Sequence, residues 1–346
     1  MLQNSLGFGT IELKSGIVTQ DLFGECGRPR VAWQIDPFGH SRDQARIFRD
    51  AGFDGVYFQR MDYREKQYRR QQQALELLWL TDPQARVNAS RPNSHSFFTG
   101  IFYDSYCYPA TFCLDELCQD EVFVDDSKSS ESNAKLRTQS FISYLNGMAN
   151  SFATENVIVP MGCDFTYQNA HKNFHSTDVL IKFANQLYDQ GKSRYKLVYS
   201  TPDCYTLAVN KAFNRRGQIP QKDGDFFPYA SEGDRYWTGF YTSRPTFKYY
   251  VRKSSNELRL CEQVHFSESA ALLASTHRLQ SQMNFAPSAE LQRQVDEARQ
   301  KLQANNDAID ALRKTVGLSL HHDAITGTAK QQVAFDYVKT LRQAGK

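Results

Sequence analysis

The sequence predicts an α/β protein: a parallel (β/α) barrel-like domain over residues 1–250, followed by a three-helix bundle over residues 251–346. Two observations predict this arrangement. Strand-like and helix-like segments alternate over the first half of the chain, and from about Val251 the chain is mostly helical in pattern. With 346 residues, 40% of them hydrophobic, the chain can supply more than one core.

The first elements form a βαβ unit. "RVAWQI" predicts a strand, "SRDQARIFRDAG" a helix with Ser41 as N-cap and Gly52 as stop signal, and "GVYFQ" the next strand. A helical crossover makes the two strands parallel. Further along, Lys135–Ala149 predicts a helix, "NVIVPM" a strand before Asp164, "STDVLIKFANQLYDQG" a capped helix, and "YKLVYS" a strand.

The C-terminal part predicts three helices. "SAELQRQVDEARQKLQANNDAIDALRK" carries apolar residues at helical spacing with a charged opposite face. The stretches near residues 257–284 and 329–342 have helical patterns as well, and short connections between them favour a bundle.

Composition excludes several classes of function. The 41 Lys and Arg nearly balance the 38 Asp and Glu, for a net charge of +3, so we expect no nucleic-acid partner. No apolar run approaches the length of a bilayer span, so we expect no membrane insertion. The start, "MLQNSLGFGTIELKSG", lacks the layout of a signal peptide.

The seven cysteines form no C-x-x-C pair, which argues against a cysteine-based zinc module. Cys113 and Cys118 are close enough in sequence for a local disulfide, or are two reduced, buried thiols. Asn88 begins a glycosylation sequon, a triplet that also arises often by chance.

Polar residues follow the predicted strands. Asp36, Arg60 and Asp164 each come just past a strand, and the carboxyl ends of parallel strands share one edge of a sheet. Any one aspartate taken alone is more often a turn former than a catalytic group. Three such residues favour a site if their strands are neighbours, and two carboxylates at one edge suit glycoside hydrolysis.

"LHHDAITGT" adds candidate metal ligands. We expect the adjacent His321 and His322 to point in different directions, so that at most one of them serves a given site with Asp323. Imidazole and carboxylate both ligate zinc. The alternative interpretation is a polar helix–loop junction, with Thr328 capping the next helix.

Six ordered blocks resemble glycoside hydrolase family 38, in particular its lysosomal-type α-mannosidase branch. They are "CGRPRVAWQIDPFGHS", "FDGVYFQR", "MGCDFTYQNA", "YSTPDCY", "DFFPYA…YWTGFYTSRP" and "HHDAITGTAKQ", and the resemblance runs from about Leu22 to the end. It implies a retaining α-mannosidase with an active-site Zn²⁺, acting on mannose-containing oligosaccharides, and a lysosomal or secretory location.

The resemblance also implies roles for individual residues. Asp36 would be the nucleophile and a zinc ligand, Asp164 the general acid/base, and His322 a zinc ligand. The residues near the sugar or the nucleophile would be Phe38, Arg60, Tyr106, His321 and Asp323.

The sequence departs from the family pattern. The family's first strand carries a His-x-Asp-Asp-x-Gly-Trp type motif with two further zinc ligands, and no such motif occurs here. We therefore expect an internal fragment with an incomplete barrel, without the C-terminal β domains, in which Cys204 and Cys261 have lost disulfide partners. We expect this chain alone to be inactive or nearly so.

Two other functions compete with the mannosidase. A non-catalytic carbohydrate-binding remnant would bind mannose without hydrolysis. A different metal hydrolase, such as a polysaccharide deacetylase, would need a D-H-x-x-x-H type motif, and none is present.

Overall fold

The computed structural model of the protein describes residues 22–82, 95–118, 120–216 and 219–345, so Asn88 lies outside the described residues. The chain divides into two compact units. One is Pro29–Tyr236, and the other combines Met1–Arg28 with Trp237–Lys346. We refer to them as the sheet unit and the helical unit.

The sheet unit contains one five-stranded sheet with strand order β1-β2-β4-β3-β5. Its elements in chain order are β1 (Val31–Trp33), α1 (Arg42–Asp50), β2 (Gly55–Phe58), α2 (Tyr63–Gln71), β3 (Glu76–Leu80), β4 (Ser96–Ile101), α3 (Ala134–Ala149), α4 (Ala170–Asp189), α5 (Pro202–Arg216) and β5 (Gln221–Lys222). The protein is therefore of the α/β class, as predicted.

The predicted βαβ unit is confirmed. β1 and β2 pair in parallel, with Val31 opposite Gly55. Ser41 caps α1 by accepting a hydrogen bond from the Asp43 amide at 3.2 Å. Gly52 follows the helix with φ of +86°, a conformation that glycine adopts without steric cost.

The sheet is not parallel throughout. β4 is parallel to β2, but β3 runs antiparallel to β4, with Leu80 opposite Ser96. The prediction of a parallel sheet is thus correct for β1, β2 and β4 and wrong for β3 and β5, which are parallel to each other but run opposite to the other three. β3 and β4 follow each other in the strand sequence and are direct neighbours in the sheet, an arrangement that allows antiparallel pairing.

Two predicted strands are not strands in the structure. In "NVIVPM", Pro160 has no N–H to donate to a ladder, and the segment lies outside the strands of the sheet. In "YKLVYS", Leu197 exchanges hydrogen bonds of 2.8 and 2.9 Å with the side-chain amide of Asn185. These bonds satisfy the backbone groups that a neighbouring strand would otherwise take.

The helix predicted to begin at Ser176 begins earlier. α4 starts at Ala170, and Asn169 caps it by accepting from the Lys172 amide at 3.3 Å. Ser176 lies buried inside the helix. Asparagine and serine are comparable N-caps, so both positions fit the sequence pattern.

The helical unit contains the three predicted helices, α6 (Pro245–Phe285), α7 (Ala289–Ser319) and α8 (Gln331–Ala344). They share one apolar cluster, to which α6 contributes Phe247 and Val251, α7 contributes Leu312 and Val316, and α8 contributes Leu341. Within the described part of the chain, none of the helices combines the length and the apolar character that crossing a membrane requires.

Candidate active site

Asp36 and Arg60 lie at the same edge of the sheet because their strands are parallel neighbours. The pairing continues past β1, where the Gln34 amide donates to the Tyr57 carbonyl at 2.9 Å. Arg60 Nε then donates to Asp36 Oδ1 at 2.5 Å, and Nη2 contacts the same oxygen. Both side chains are mostly buried, at 17% exposed for Arg60 and 23% for Asp36.

The turn after Asp36 depends on Gly39. Its φ is +107°, and a Cβ at this position would overlap ring carbons of Phe227. Next to it, His40 exchanges backbone hydrogen bonds with Phe226 at 2.8 and 3.1 Å. The tight "DPFGH" turn is thus held against the segment around Phe226, which keeps Asp36 at the sheet edge.

Three aromatic rings surround the Arg60 guanidinium. Its Cζ lies 5.6 Å from the ring centroid of Phe38, 5.9 Å from that of Tyr106 and 5.7 Å from that of Tyr229. Tyr229 also accepts a hydrogen bond of 3.4 Å from Arg60 Nη1. Burial lowers the pKa of Arg60, but the charge of Asp36 and the bonds to Asp36 and Tyr229 outweigh it and raise the pKa. Arg60 therefore remains a fixed cation beside Asp36.

Tyr106 connects the two candidate carboxylates. Its hydroxyl donates to Asp164 Oδ1 at 3.2 Å. Burial, together with the negative charges of Asp36 and Asp164, raises the pKa of Tyr106 to about 12. The structure therefore brings Asp36, Phe38, Arg60, Tyr106 and Asp164 into one cluster in the sheet unit.

Asp164 is the exposed member of this cluster. It lies in a tight turn in which the Cys163 amide donates to Thr166 Oγ1 at 2.7 Å. The next residue, Phe165, has φ of +63°. Cys163 itself forms a disulfide with Cys107, the neighbour of Tyr106.

His321, His322 and Asp323 form a second cluster, in the helical unit. One potential ligand atom from each residue lies within 4.8 Å of the others. The two histidine rings are adjacent, with centroids 4.1 Å apart, so the expectation that they point in different directions is wrong. The turn that follows α7 brings both rings to the same side.

The donor set of this second cluster fits zinc. Asp323 Oδ2 lies 3.8 Å from His321 Nε2 and 3.9 Å from His322 Nε2. Two ligand atoms of a tetrahedral zinc ion are about 3.4 Å apart, so a small movement would bring these groups to ligand spacing. Hydrogen bonding from His321 lowers the pKa of Asp323 to about 2, with Thr328 contributing a bond of 2.9 Å.

Several groups at the candidate site had no role predicted from the sequence. His40 is buried, stacks on Phe58 with ring centroids 4.0 Å apart, and is hydrogen-bonded to the backbone of Arg60. Burial lowers its pKa to about 3, so it is neutral. Tyr229 and the Cys107–Cys163 disulfide were also missed. Only the position of Tyr229 in a quoted block, "DFFPYA", could have singled it out.

The remaining cysteines form one further disulfide and three free thiols. Cys113 and Cys118 form a disulfide, which decides between the two alternatives that the sequence left open. Among the described residues, Cys204 and Cys261, together with Cys26, are free thiols and exposed.

Comparison with known proteins gives concordant matches. The family model "Glycosyl hydrolases family 38 N-terminal domain" matches residues 17–232, and "Alpha mannosidase middle domain" matches residues 235–346. A lysosomal alpha-mannosidase from Homo sapiens is 38% identical over 323 residues, and one from Cavia porcellus is 37% identical over 322 residues. Each alignment covers 93% of this chain and 28% of the relative, so the chain spans less than a third of their length.

A solved structure shares the fold. The crystal structure of an alpha-mannosidase from Enterococcus faecalis aligns with a TM-score of 0.57 at 16% identity, over 96% of this chain and 30% of that one.

Proposed function

Because this chain belongs to glycosyl hydrolases family 38, we propose that it carries the catalytic carboxylates of a retaining α-mannosidase. The substrate would be terminal α-D-mannose residues of N-glycan-type oligosaccharides. One observation supports this most directly: Asp36 and Asp164 both interact with Tyr106, within one cluster that also contains Arg60.

Asp36 is the proposed nucleophile. A carboxylate attacks an anomeric carbon only when it is ionised, and the adjacent Arg60 cation favours the ionised form. The three rings around Arg60 exclude water from one side of the pair, which strengthens the charge interaction. Phe38 would also offer an apolar surface to the bound sugar.

Asp164 is the proposed general acid/base. It would protonate the leaving oxygen and then deprotonate the water that releases the sugar. Its exposure gives an aglycone and water access to the carboxyl group. The Tyr106 hydroxyl donates to one oxygen and leaves the other for proton transfer. A retaining mechanism predicts that the two carboxyl groups act about 5–5.5 Å apart.

We propose Zn²⁺ as the cofactor, with His322 of the helical unit as a ligand and His321 and Asp323 beside it. The imidazole and carboxylate donors of the 321–323 cluster have suitable chemistry and spacing. A bound zinc ion would supply positive charge to sugar hydroxyls.

The isolated chain should have little activity. Family resemblance implies four zinc ligands, of which only Asp36 and His322 have counterparts in this sequence. Because zinc sites in proteins generally need three or four protein ligands, the lack of the two other family ligands should weaken metal retention and slow turnover. The disulfides fit a lysosomal or secretory location, because disulfides persist in oxidising compartments.

Hydrolysis of 2,4-dinitrophenyl α-mannoside tests the proposal. This aglycone leaves without protonation, so the nucleophile can release it without help from the general acid. We expect the unsubstituted chain to release dinitrophenol slowly, at a rate on the order of 100-fold or more below an ordinary turnover of about 10 s⁻¹. Asp36→Asn should abolish this release. Release no faster than from D36N would refute the α-mannosidase proposal for this chain.

The same assay with zinc and a phenyl α-mannoside separates the remaining possibilities. Ordinary turnover would contradict the expected inactivity of the isolated chain. Calorimetric binding of methyl α-mannoside without any hydrolysis would favour the carbohydrate-binding remnant.

A further inference from the structure

The Cys107–Cys163 disulfide joins the two segments that carry Tyr106 and Asp164. Each cysteine directly follows or precedes one of these residues in the chain, and the bridge spans 56 positions of sequence. The two Cα atoms are 4.5 Å apart, within the usual range for a disulfide. The covalent link therefore lies one residue from each partner of the Tyr106–Asp164 hydrogen bond.

A backbone bond reinforces the link on its other side. The Tyr108 amide donates to the Gly162 carbonyl at 3.0 Å, so the two segments run side by side across the disulfide. Further along, Asp115 accepts from the Tyr167 amide at 2.7 Å. The turn that carries Asp164 is thus attached at both ends to the 107–115 segment.

This turn needs attachment because its own conformation is unfavourable. Phe165 and Tyr167 both have φ of +63°, in a region that residues with a Cβ rarely occupy. The residues just before it, 156–161, are described by the structure and belong to no strand that could hold Asp164 in place. Such conformations persist only where the surrounding structure determines them.

We propose that the Cys107–Cys163 disulfide is a positioning element that holds the Asp164 carboxyl group against the Tyr106 hydroxyl. This inference rests on the proposed role of Asp164 as general acid/base. An acid must be held near its productive geometry, and a displacement of about 1 Å can cost on the order of 100-fold in rate. Asp164 is exposed, so without the link solvent would compete for its carboxylate oxygens.

The test replaces the disulfide and observes the Tyr106–Asp164 hydrogen bond directly. Protein labelled with ¹³Cζ-tyrosine gives one NMR signal per tyrosine. The Tyr106 signal is identified as the one that is absent from the spectrum of the Tyr106→Phe variant. The reference for a broken bond is Asp164→Ala. We expect the Tyr106 signal of the C107S/C163S variant to shift to its position in D164A.

The matched control is C113S/C118S, which removes the other disulfide of the same segment. It should leave the Tyr106 signal at its wild-type position. A second variant, C107A/C163V, restores apolar volume without the covalent bond and should behave like C107S/C163S. Unchanged signals from the buried Tyr57 on β2 and Tyr205 on α5 establish that each variant is folded.

The inference is overturned when folded C107S/C163S and C107A/C163V keep the wild-type Tyr106 signal, even with a lower unfolding temperature. A disulfide that only stabilises the fold gives that result. Failure of the proposed function would give a different result. The wild-type chain would then release dinitrophenol no faster than the D36N variant does. Where release is measurable, loss of the disulfide should slow phenyl mannoside hydrolysis more than dinitrophenyl mannoside hydrolysis.

Discussion

At the scale of single residues, Arg60 is the group that organises the candidate site. It contacts the Asp36 carboxylate, donates to Tyr229 and lies among three rings. The pair is mostly shielded from solvent, so its charges interact more strongly than those of an exposed ion pair. Arg60 therefore contributes to stability as well as to the charge state of Asp36.

Arg60→Met should lower the free energy of unfolding by about 2 kcal/mol, because it removes the cation beside a mostly buried carboxylate. Urea denaturation of the purified chain measures the change. Arg30→Met is the matched control, since Arg30 also pairs with an aspartate, Asp54, but both side chains of that pair are exposed. Equal effects of the two substitutions would contradict the reasoning.

His322→Ala should weaken zinc binding by at least about tenfold, because it removes an imidazole from the only donor cluster found among the described residues. Competition with a chromophoric chelator measures the affinity without reference to activity. His265→Ala is the control, because that half-buried histidine of α6 is hydrogen-bonded to Asn306 of α7 at 2.8 Å and lies outside the donor cluster. Zinc affinity unchanged in H322A would exclude this ligand.

The sequence could predict some of these residues and not others. Asp36 and Arg60 follow consecutive parallel strands, so their proximity can be derived from local pattern and topology. The link between Cys107 and Cys163 spans 56 positions, and nothing in the local sequence around either cysteine specifies its partner.

At the scale of elements, β3 begins with a buried glutamate, Glu76. Glu76 is 2% exposed, and Tyr205 on α5 donates to its Oε1. Within the part of the chain that the structure describes, its Oε2 has no hydrogen-bond partner. Burial raises the pKa of Glu76 from 4.5 to about 7.

This pKa makes stability depend on pH in a defined direction. The folded state binds the Glu76 proton more tightly than the unfolded state, so stability falls as pH rises from about 4.5 to about 7. The cost at higher pH is about 3 kcal/mol, at about 1.36 kcal/mol per pKa unit. A mildly acidic compartment would favour this fold.

Glu76→Gln should remove that dependence. The amide keeps an oxygen to accept from Tyr205 and has no charge to bury, so we expect a gain in stability at about pH 7.5 and little change at about pH 4.5. Chemical denaturation at the two pH values gives the comparison. Glu155→Gln, at an exposed glutamate paired with Arg215, should change neither value much. An equal effect of E76Q at both pH values would contradict the assignment.

Elements with strong periodicity were predictable, such as α1 with its Ser41 cap and the three helices of the helical unit. β3 and β4 were missed, and their antiparallel pairing is a long-range property that local pattern does not carry. "NVIVPM" and "YKLVYS" have strand composition, but Pro160 and the Asn185 side chain supply the physical reasons why neither pairs.

At the scale of the whole molecule, apolar side chains remain on the surface of the helical unit. On α6, Phe266 is 77% exposed and Leu260 is 62% exposed. Exposed apolar patches favour association with other surfaces. The mostly helical pattern after about Val251 can be recognised in the sequence, whereas the exposure of these side chains depends on how the helices pack.

Phe266→Ser should reduce self-association of the chain at high concentration without lowering its unfolding temperature, because the side chain is already in water. Sedimentation velocity at several concentrations measures association. Phe247→Ser, at a buried position of the same helix, should instead destabilise the unit. Unchanged association in F266S would show that this side chain is not involved.

The reversed direction of β3 has a practical consequence for engineering the protein. β3 ends, and β4 begins, at the edge of the sheet opposite Asp36 and Arg60. There His95 Nδ1, just before β4, lies 3.5 Å from Asp82 Oδ2, just after β3. A fluorescent reporter or affinity tag grafted between Asp82 and His95 would extend from the far side of the sheet. Such a fusion would leave the carboxylate edge open to a sugar, which makes this connection the preferred attachment point for imaging or immobilisation.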